Sequence, residues 1–138
     1  MEIRVYRPED RIQIAELWNA VFPNATGHNE SLRSIDRKIM VDDGLFFVAV
    51  DGNKVVGTVL AGYDGHRGWL YSLAVEPSYR RRRIGSQLVQ HAQIALTKLG
   101  CQKINLQIRA ENESVVAFYE SLGFQTEKRI SMGKRVNQ

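Results

Sequence analysis

At 138 residues the chain has the length of one folding domain, enough to bury a core of its own. Its apolar share of 43% and charged share of 25% are those of an ordinary globular protein, and no window approaches the roughly 18 apolar residues of a membrane span. Arg4, Arg7, Glu9, Asp10 and Arg11 near the start exclude a secretory leader, so a cytoplasmic location is expected. The net charge of +4 sits largely in Arg80–Arg83 and in Lys128, Arg129, Lys134 and Arg135, so its position says more than its sum.

Ile3–Tyr6 alternates and predicts a short strand. After Pro8-Glu9-Asp10, the apolar residues Ile14, Leu17, Trp18, Val21 and Phe22 recur at three and four and predict a helix. Pro23–Gly27 reads as a loop, and Glu30–Val41 as a second helix with Leu32, Ile35 and Ile39 inward. Leu45–Val50 is an apolar strand, Asp51-Gly52-Asn53 a hairpin turn and Lys54–Tyr63 the returning strand. Asp64–Gly68 turns the chain into a strand over Trp69–Val75.

A helix follows with Leu88, Ala92, Ala95, Leu96 and Leu99 inward and Gly100 placed to end it. Cys101, the single cysteine, cannot form an internal disulfide and reads as a small buried apolar residue. Lys103–Arg109 alternates as a strand, Glu113–Leu122 is a short helix closed by Gly123, and Phe124–Glu127 and Ile130–Lys134 serve as final strands. The order β-α-α-β-β-β-α-β-α-β-β describes an α/β (α+β) fold, a mixed sheet with helices against it. Residues 1–138 show no linker, repeat or low-complexity segment and read as one domain.

The segment that breaks a local rule is Glu76-Pro77-Ser78-Tyr79-Arg80-Arg81-Arg82-Arg83-Ile84-Gly85-Ser86. Cations at a helix start face its positive pole, where each is unfavourable by roughly 0.3–1 kcal/mol. A polyanion resolves the conflict, held by the free N–H groups and neutralised by the guanidinium groups. The turn therefore points to a phosphorylated ligand. A Walker phosphate loop is excluded by the missing Gly-Lys-Ser/Thr, and no Gly-x-Gly-x-x-Gly is present. The plainer alternative is a solvated charge run or a nucleic-acid patch, but Tyr79 is the lone aromatic beside the arginines.

Val75-Glu76-Pro77-Ser78-Tyr79-Arg80 and the run to Gly85 resemble the acyl-CoA motif of the GNAT family of N-acetyltransferases. Asn112 through Phe118-Tyr119-Glu120-Ser121-Leu122-Gly123-Phe124 resembles that family's second motif, in its order and at its spacing. The turn at 63–68 and the ending Ser131-Met132-Gly133-Lys134-Arg135 are similar to bacterial YpeA-type members. The resemblance implies a mostly antiparallel sheet of six to seven strands flanked by about four helices, with a splayed central strand pair. It implies acetyl-CoA as co-substrate, with its diphosphate on Arg80, Arg81, Arg82, Arg83, Ile84, Gly85 and Ser86. The pantetheine arm would lie along the backbone of Leu73, Ala74 and Val75, whose groups a bulge splaying this strand from Ile104–Arg109 would leave unpaired, with Asn112 and Tyr119 as further contacts. In the family pattern Arg/Gln-x-x-Gly-x-Gly/Ala, Arg80 and Gly85 match but Arg83 replaces the first glycine. Arginine there suits either a negative φ or a ligand seated slightly higher.

The activity implied is transfer of an acetyl group to a primary amine by direct attack in a ternary complex. Tyr119 is the candidate catalytic acid for the leaving thiolate. Its ordinary alternative is a hydrophobic contact to Phe124 at the helix end, and that of Asn112 is a plain N-cap. The family's strand glutamate is replaced by Gln107, which cannot take up a proton. Glu76 could act through water but reads first as a solvated turn residue, and Asp64 and His66 lie on a loop with no assigned role. The acceptor would enter between the first two helices and the Tyr63–Gly68 turn, with Trp18, Phe22, Asn24 and His28 as candidate lining. Trp18 and Phe22 also lie on an apolar stripe and read as core, while His28 and His91 read as surface residues. No metal is expected, since no His/Cys/carboxylate spacing suits one. The expected partners are acetyl-CoA and an amine, with no nucleic acid and no membrane, for a monomer or homodimer. Two rivals stand beside this: an acetyl-CoA sensor with little catalysis, and a basic nucleic-acid-binding domain.

Overall fold

The computed structural model describes residues 1–22 and 28–136, the side chains of residues 28 and 29 excepted. The expected loop Pro23–Gly27 lies outside the described residues. The chain divides into two compact units, Met1–Gln107 and Ile108–Gln138.

In the first unit β1 (Glu2–Val5), β2 (Phe46–Asp51), β3 (Lys54–Tyr63), β4 (Gly68–Val75) and β5 (Ile104–Leu106) form one sheet in chain order. The first four pair antiparallel with their neighbours, whereas β5 joins β4 in parallel. A parallel step needs a crossover, and α3 (Ile84–Lys98) supplies it. β2 and β3 read as near-continuous apolar runs because both faces of the sheet are covered. On one side α1 (Arg11–Val21) and α2 (His28–Val41) set Ile14, Leu17, Trp18 and Ile35 against Phe46, Val48, Val50 and Leu60. On the other side α3 approaches so closely that a Cβ on Gly57 would stand 3.0 Å from Leu88 Cδ1 and 3.1 Å from the Ala74 carbonyl oxygen. His91 belongs to this layer. It is half-buried rather than on the surface, its ring edge-on to Phe47 at 4.8 Å.

The inward stripe of α2 departs from the expected one. Ile35 is fully buried, but Ile39 is exposed and Ser31 and Lys38 turn inward instead. Each finds polar partners. The Ser31 hydroxyl donates to Asn19 Oδ1 at 2.8 Å, and Lys38 Nζ donates to Asp43 at 2.8 Å and to the Ala61 carbonyl at 2.5 Å. Apolar periodicity does not register positions buried through hydrogen bonds. Leu99 is exposed as well, at the C-terminal end of α3, while Cys101 is buried as expected.

In the second unit α4 (Glu113–Ser121) starts at Asn112 and stops at Gly123. The expected strands 124–127 and 130–134 are not formed, and Ile130 and Met132 stand 90% and 91% exposed. Among the described residues the sheet therefore has five strands, not six or seven, and β5 covers three residues of the expected Lys103–Arg109. Alternation assigns residues to faces, but a strand exists only where a neighbour supplies the ladder.

Candidate functional site

β4 carries the first part of the site. Thr58 pairs with Ala74 and Leu60 with Tyr71, so β4 holds one extra residue opposite Val59. Ser72 takes up the extra length with φ at 51°, the mark of a bulge. On the other edge, β4 pairs with β5 from Gly68–Ile104 to Leu70–Leu106, and the ladder ends there. β5 itself stops at Leu106, so the ladder ends just before the bulge. The Glu76 N–H donates to the Val56 carbonyl at 2.8 Å, which makes Val56–Glu76 and Thr58–Ala74 the hydrogen-bonded pairs. Val75 lies between them and turns its N–H and C=O to the opposite edge, and alternation gives Leu73 the same direction. The Ala74 side chain is buried in the core, whereas Leu73 and Val75 are half-buried.

The arginine turn follows directly. Pro77–Tyr79 makes a 3-10 turn capped by Glu76, whose carboxylate accepts from the Ser78 N–H at 2.8 Å and from the Ser78 hydroxyl. Arg81 and Arg83 then both adopt the left-handed conformation, with φ at 68° and 61°. The negative φ that would spare an arginine at the glycine place is not found. Each such residue is unfavourable by roughly 1–2 kcal/mol. In return, left-handed residues within such a turn are the means by which a backbone can point successive N–H groups at an anion. The first N–H groups of α3 follow directly, on Ile84, Gly85 and Ser86, and have no acceptor within the helix. The side chains of Arg80 to Arg83 are all exposed.

Tyr79 is the site residue whose role the sequence did not disclose. Arg82 Cζ lies 4.8 Å from its ring centroid and Lys54 Nζ lies 5.4 Å from it. Its hydroxyl donates to Asp51 Oδ2 at 2.7 Å, a bond that raises the pKa of the phenol. The arginine turn is thereby tied to the β2–β3 turn.

On α4, Asn112 Oδ1 accepts from the Val115 N–H at 3.3 Å, a side-chain N-cap. Tyr119 is 6% exposed and its ring stands edge-on to Phe124 at 5.4 Å. The Phe124 N–H donates to the Tyr119 carbonyl and the Gly123 N–H to the Glu120 carbonyl, with Gly123 at φ 95°. These two bonds and the ring contact form a Schellman stop. Burial pushes the Tyr119 phenol up to about 12.

The sequence matches the acetyltransferase (GNAT) family over residues 11–124. It is 38% identical over 136 residues to an acetyltransferase of Pectobacterium atrosepticum, a match covering 99% of this chain and 96% of that protein. The chain belongs to the GNAT acetyltransferase family. Its fold is shared with AAC(6')-Iy solved with a bisubstrate analogue, at TM-score 0.80 and 20% identity over 98% of this chain and 97% of that one. It is shared also with the PaiA N-acetyltransferase of Thermoplasma acidophilum solved with coenzyme A, at TM-score 0.79 and 20% identity over 94% and 92% of the two chains.

Among the remaining candidates of this GNAT chain, Glu76 is spoken for. The hydrogen bond from the Ser78 hydroxyl, aided by the Ser78 N–H, holds its carboxyl below the usual range, which suits a cap better than a base. Gln107 is exposed just past β5. Asp64 Oδ1 accepts from the N–H groups of His66 and Arg67 at 2.7 Å each, so it builds its own turn. Trp18 is a core residue, stacked on Phe46 at 6.1 Å with its Nε1–H donated to Thr58 Oγ1 at 2.9 Å. Phe22 packs at the edge of the same core. Asn24 and the side chain of His28 lie outside the described residues. Among the described residues, no helix is long and apolar enough to cross a membrane.

Proposed function

We propose that this chain is an N-acetyltransferase that moves an acetyl group from acetyl-CoA to a primary amine within a ternary complex. The observation that carries the reading is a pair of backbone features in sequence. The outward-turned edge of β4 at Leu73–Val75 runs directly into the left-handed Arg81 and Arg83 before α3. Solved neighbours bound to coenzyme A or to a bisubstrate analogue support the choice of ligand. In this reading residues 1–138 act as one catalytic domain, consistent with a family match that runs from 11 to 124.

The diphosphate rests on the N–H groups of Arg81 to Ser86 and is neutralised by Arg80, Arg81, Arg82 and Arg83. The pantetheine arm adds to the edge of β4 along Leu73, Ala74 and Val75, and Asn112 serves as a further contact. The lone pair of a neutral amine attacks the thioester carbonyl carbon, and the Leu73 N–H holds the oxygen on which charge develops. The carbon–sulfur bond then breaks. The phenol of Tyr119 donates its proton to the leaving sulfur, the nitrogen gives its extra proton to water, and the phenolate takes a proton back from water, which restores the acid. Burial raises the phenol to about 12, which keeps Tyr119 protonated for this step. No side chain serves as nucleophile, so positioning supplies much of the rate.

The test is an acetylation assay with acetyl-CoA over a panel of α-amines, lysine peptides, polyamines and aminoglycosides, read by thiol release. Turnover with any of them is expected. Coenzyme A binding without turnover would instead favour the sensor reading, which gains weight because Glu76 is engaged with Ser78 and Gln107 cannot act as a base. A nucleic-acid role has less support, since the Tyr79 ring already carries two cations.

A further inference from the structure

The bulge in β4 is held by a buried polar relay that reaches it from α1. The Trp18 Nε1–H donates to Thr58 Oγ1 at 2.9 Å, and the Thr58 hydroxyl donates onward to the Ser72 carbonyl at 2.9 Å. Thr58 is fully buried and Trp18 is 4% exposed. The hydroxyl has a single proton, and the Trp18 indole can only donate to it, so that proton is directed onto Ser72. Ser72 is the residue whose φ of 51° accommodates the extra length of β4. The hydroxyl thus takes the place of a ladder partner for a carbonyl that the register shift has displaced.

We infer that Thr58, oriented by Trp18, is a positioning residue for acyl-CoA: by fixing the Ser72 carbonyl inward it aims the Leu73 and Val75 backbone at the pantetheine arm. The inference rests on the acetyl-CoA reading above and extends it to two side chains that touch no ligand. Apolar surroundings alone would make valine the natural occupant of position 58, flanked as it is by the fully buried Val56 and Val59. A hydroxyl buried there has a purpose only toward its two partners. Because the ring of Trp18 is clamped against Phe46, the donor end of the relay has little freedom, and the direction of Ser72 follows from it.

Thr58→Val keeps the shape and removes the relay, and Thr58→Ser restores the hydroxyl. Calorimetry compares two ligands on each protein: coenzyme A, and ADP phosphorylated on its ribose, which lacks pantetheine and engages only the arginine turn. Thr58→Val is expected to weaken coenzyme A about tenfold with nucleotide affinity unchanged, as loss of preorganisation along the arm predicts. Thr58→Ser is expected to recover coenzyme A affinity to within about twofold of the wild type. A structural role alone would spare both ligands or weaken both, and either result overturns the inference. If Thr58→Val does not fold, Trp18→Phe is measured in the same way. It is expected to weaken coenzyme A about threefold and the nucleotide not at all, since the hydroxyl keeps Ser72 but loses its fixed direction. Equal behaviour of the two ligands again overturns the inference. A wild-type protein that binds no coenzyme A removes the acetyl-CoA reading itself, an outcome distinct from a variant that behaves like the wild type.

Discussion

Arg82 Cζ lies 4.8 Å from the centroid of the Tyr79 ring, and the same ring is anchored through its hydroxyl to Asp51. The middle of the arginine turn is therefore fixed before any ligand arrives. An exposed cation–π pair contributes about 0.5–1 kcal/mol. Tyr79→Leu removes both the stack and the anchor, so the turn must be ordered on binding. Coenzyme A affinity is expected to fall about two- to fivefold by calorimetry, and Tyr79→Phe, which keeps the stack, by less than about twofold. Wild-type affinity in Tyr79→Leu would mean that the backbone alone holds the turn.

Arg83 supplies a second prediction, on stability. It sits at φ 61° with no side-chain cap on α3. Glycine adopts that conformation without the Cβ clash but is more flexible when unfolded, so Arg83→Gly is expected to stabilise the fold by about 0.5–1 kcal/mol. The midpoint of thermal unfolding should rise by a few degrees. Coenzyme A binding should meanwhile become less sensitive to salt, because one exposed cation is gone. A lowered midpoint would show that the arginine side chain offsets its own strain.

Most of this architecture was open to view in the residue order, and the exceptions share a cause. The β2–β3 hairpin, α1, α3, the stop at Gly123 and the arginine turn follow from periodicity, turn chemistry and helix ends, all of which are local. The resemblance implied a bulge in β4, but its place at Ser72 left no mark, because a bulge is defined by the partner strand and not by the strand that contains it. Lys38 and Thr58 were hidden for a related reason. Each is a polar residue buried by partners distant in the chain, and Thr58 meets Trp18 across 40 positions. The strands expected after Gly123 failed in the opposite direction, as alternation without a ladder.

Arg4 and Asp10 give a pH prediction. Arg4 holds the Asp10 carboxylate with two bonds of 2.8 and 3.0 Å, and the Arg7 N–H adds a third at 2.8 Å. Burial pushes this carboxyl up, but the bonds from Arg4 and Arg7 and their charge outweigh it, and the balance lies below the ordinary 3.8. A carboxyl depressed in the folded state stabilises above its unfolded pKa, and that contribution is lost as pH falls through the folded value. Asp10→Asn is expected to lower neutral-pH stability by about 1–3 kcal/mol, leaving Arg4 short of an acceptor. Its loss of stability below about pH 4 should also be shallower than that of the wild type. Denaturant titrations across that range check both statements. Parallel curves for the two proteins would remove Asp10 from the acid response.

Tyr119 has two separable parts. Its ring and carbonyl close α4 against Phe124, and phenylalanine keeps both. In the proposed reaction its hydroxyl protonates the leaving sulfur, and phenylalanine removes it. Tyr119→Phe is therefore expected to lower kcat about a hundredfold while coenzyme A affinity stays within about twofold. Unchanged turnover would strip the acid role from this residue. The alkaline limb is a second, independent check. The phenol is raised from 10.0 to about 12 in the folded protein, so its contribution is whole below pH 10 and is lost as pH climbs toward 12. The full loss corresponds to roughly 2–3 kcal/mol at about 1.36 per unit. Wild-type unfolding midpoints should consequently drop more steeply above pH 10 than those of Tyr119→Phe, whereas superimposable alkaline profiles would mean that the phenol titrates as if in water.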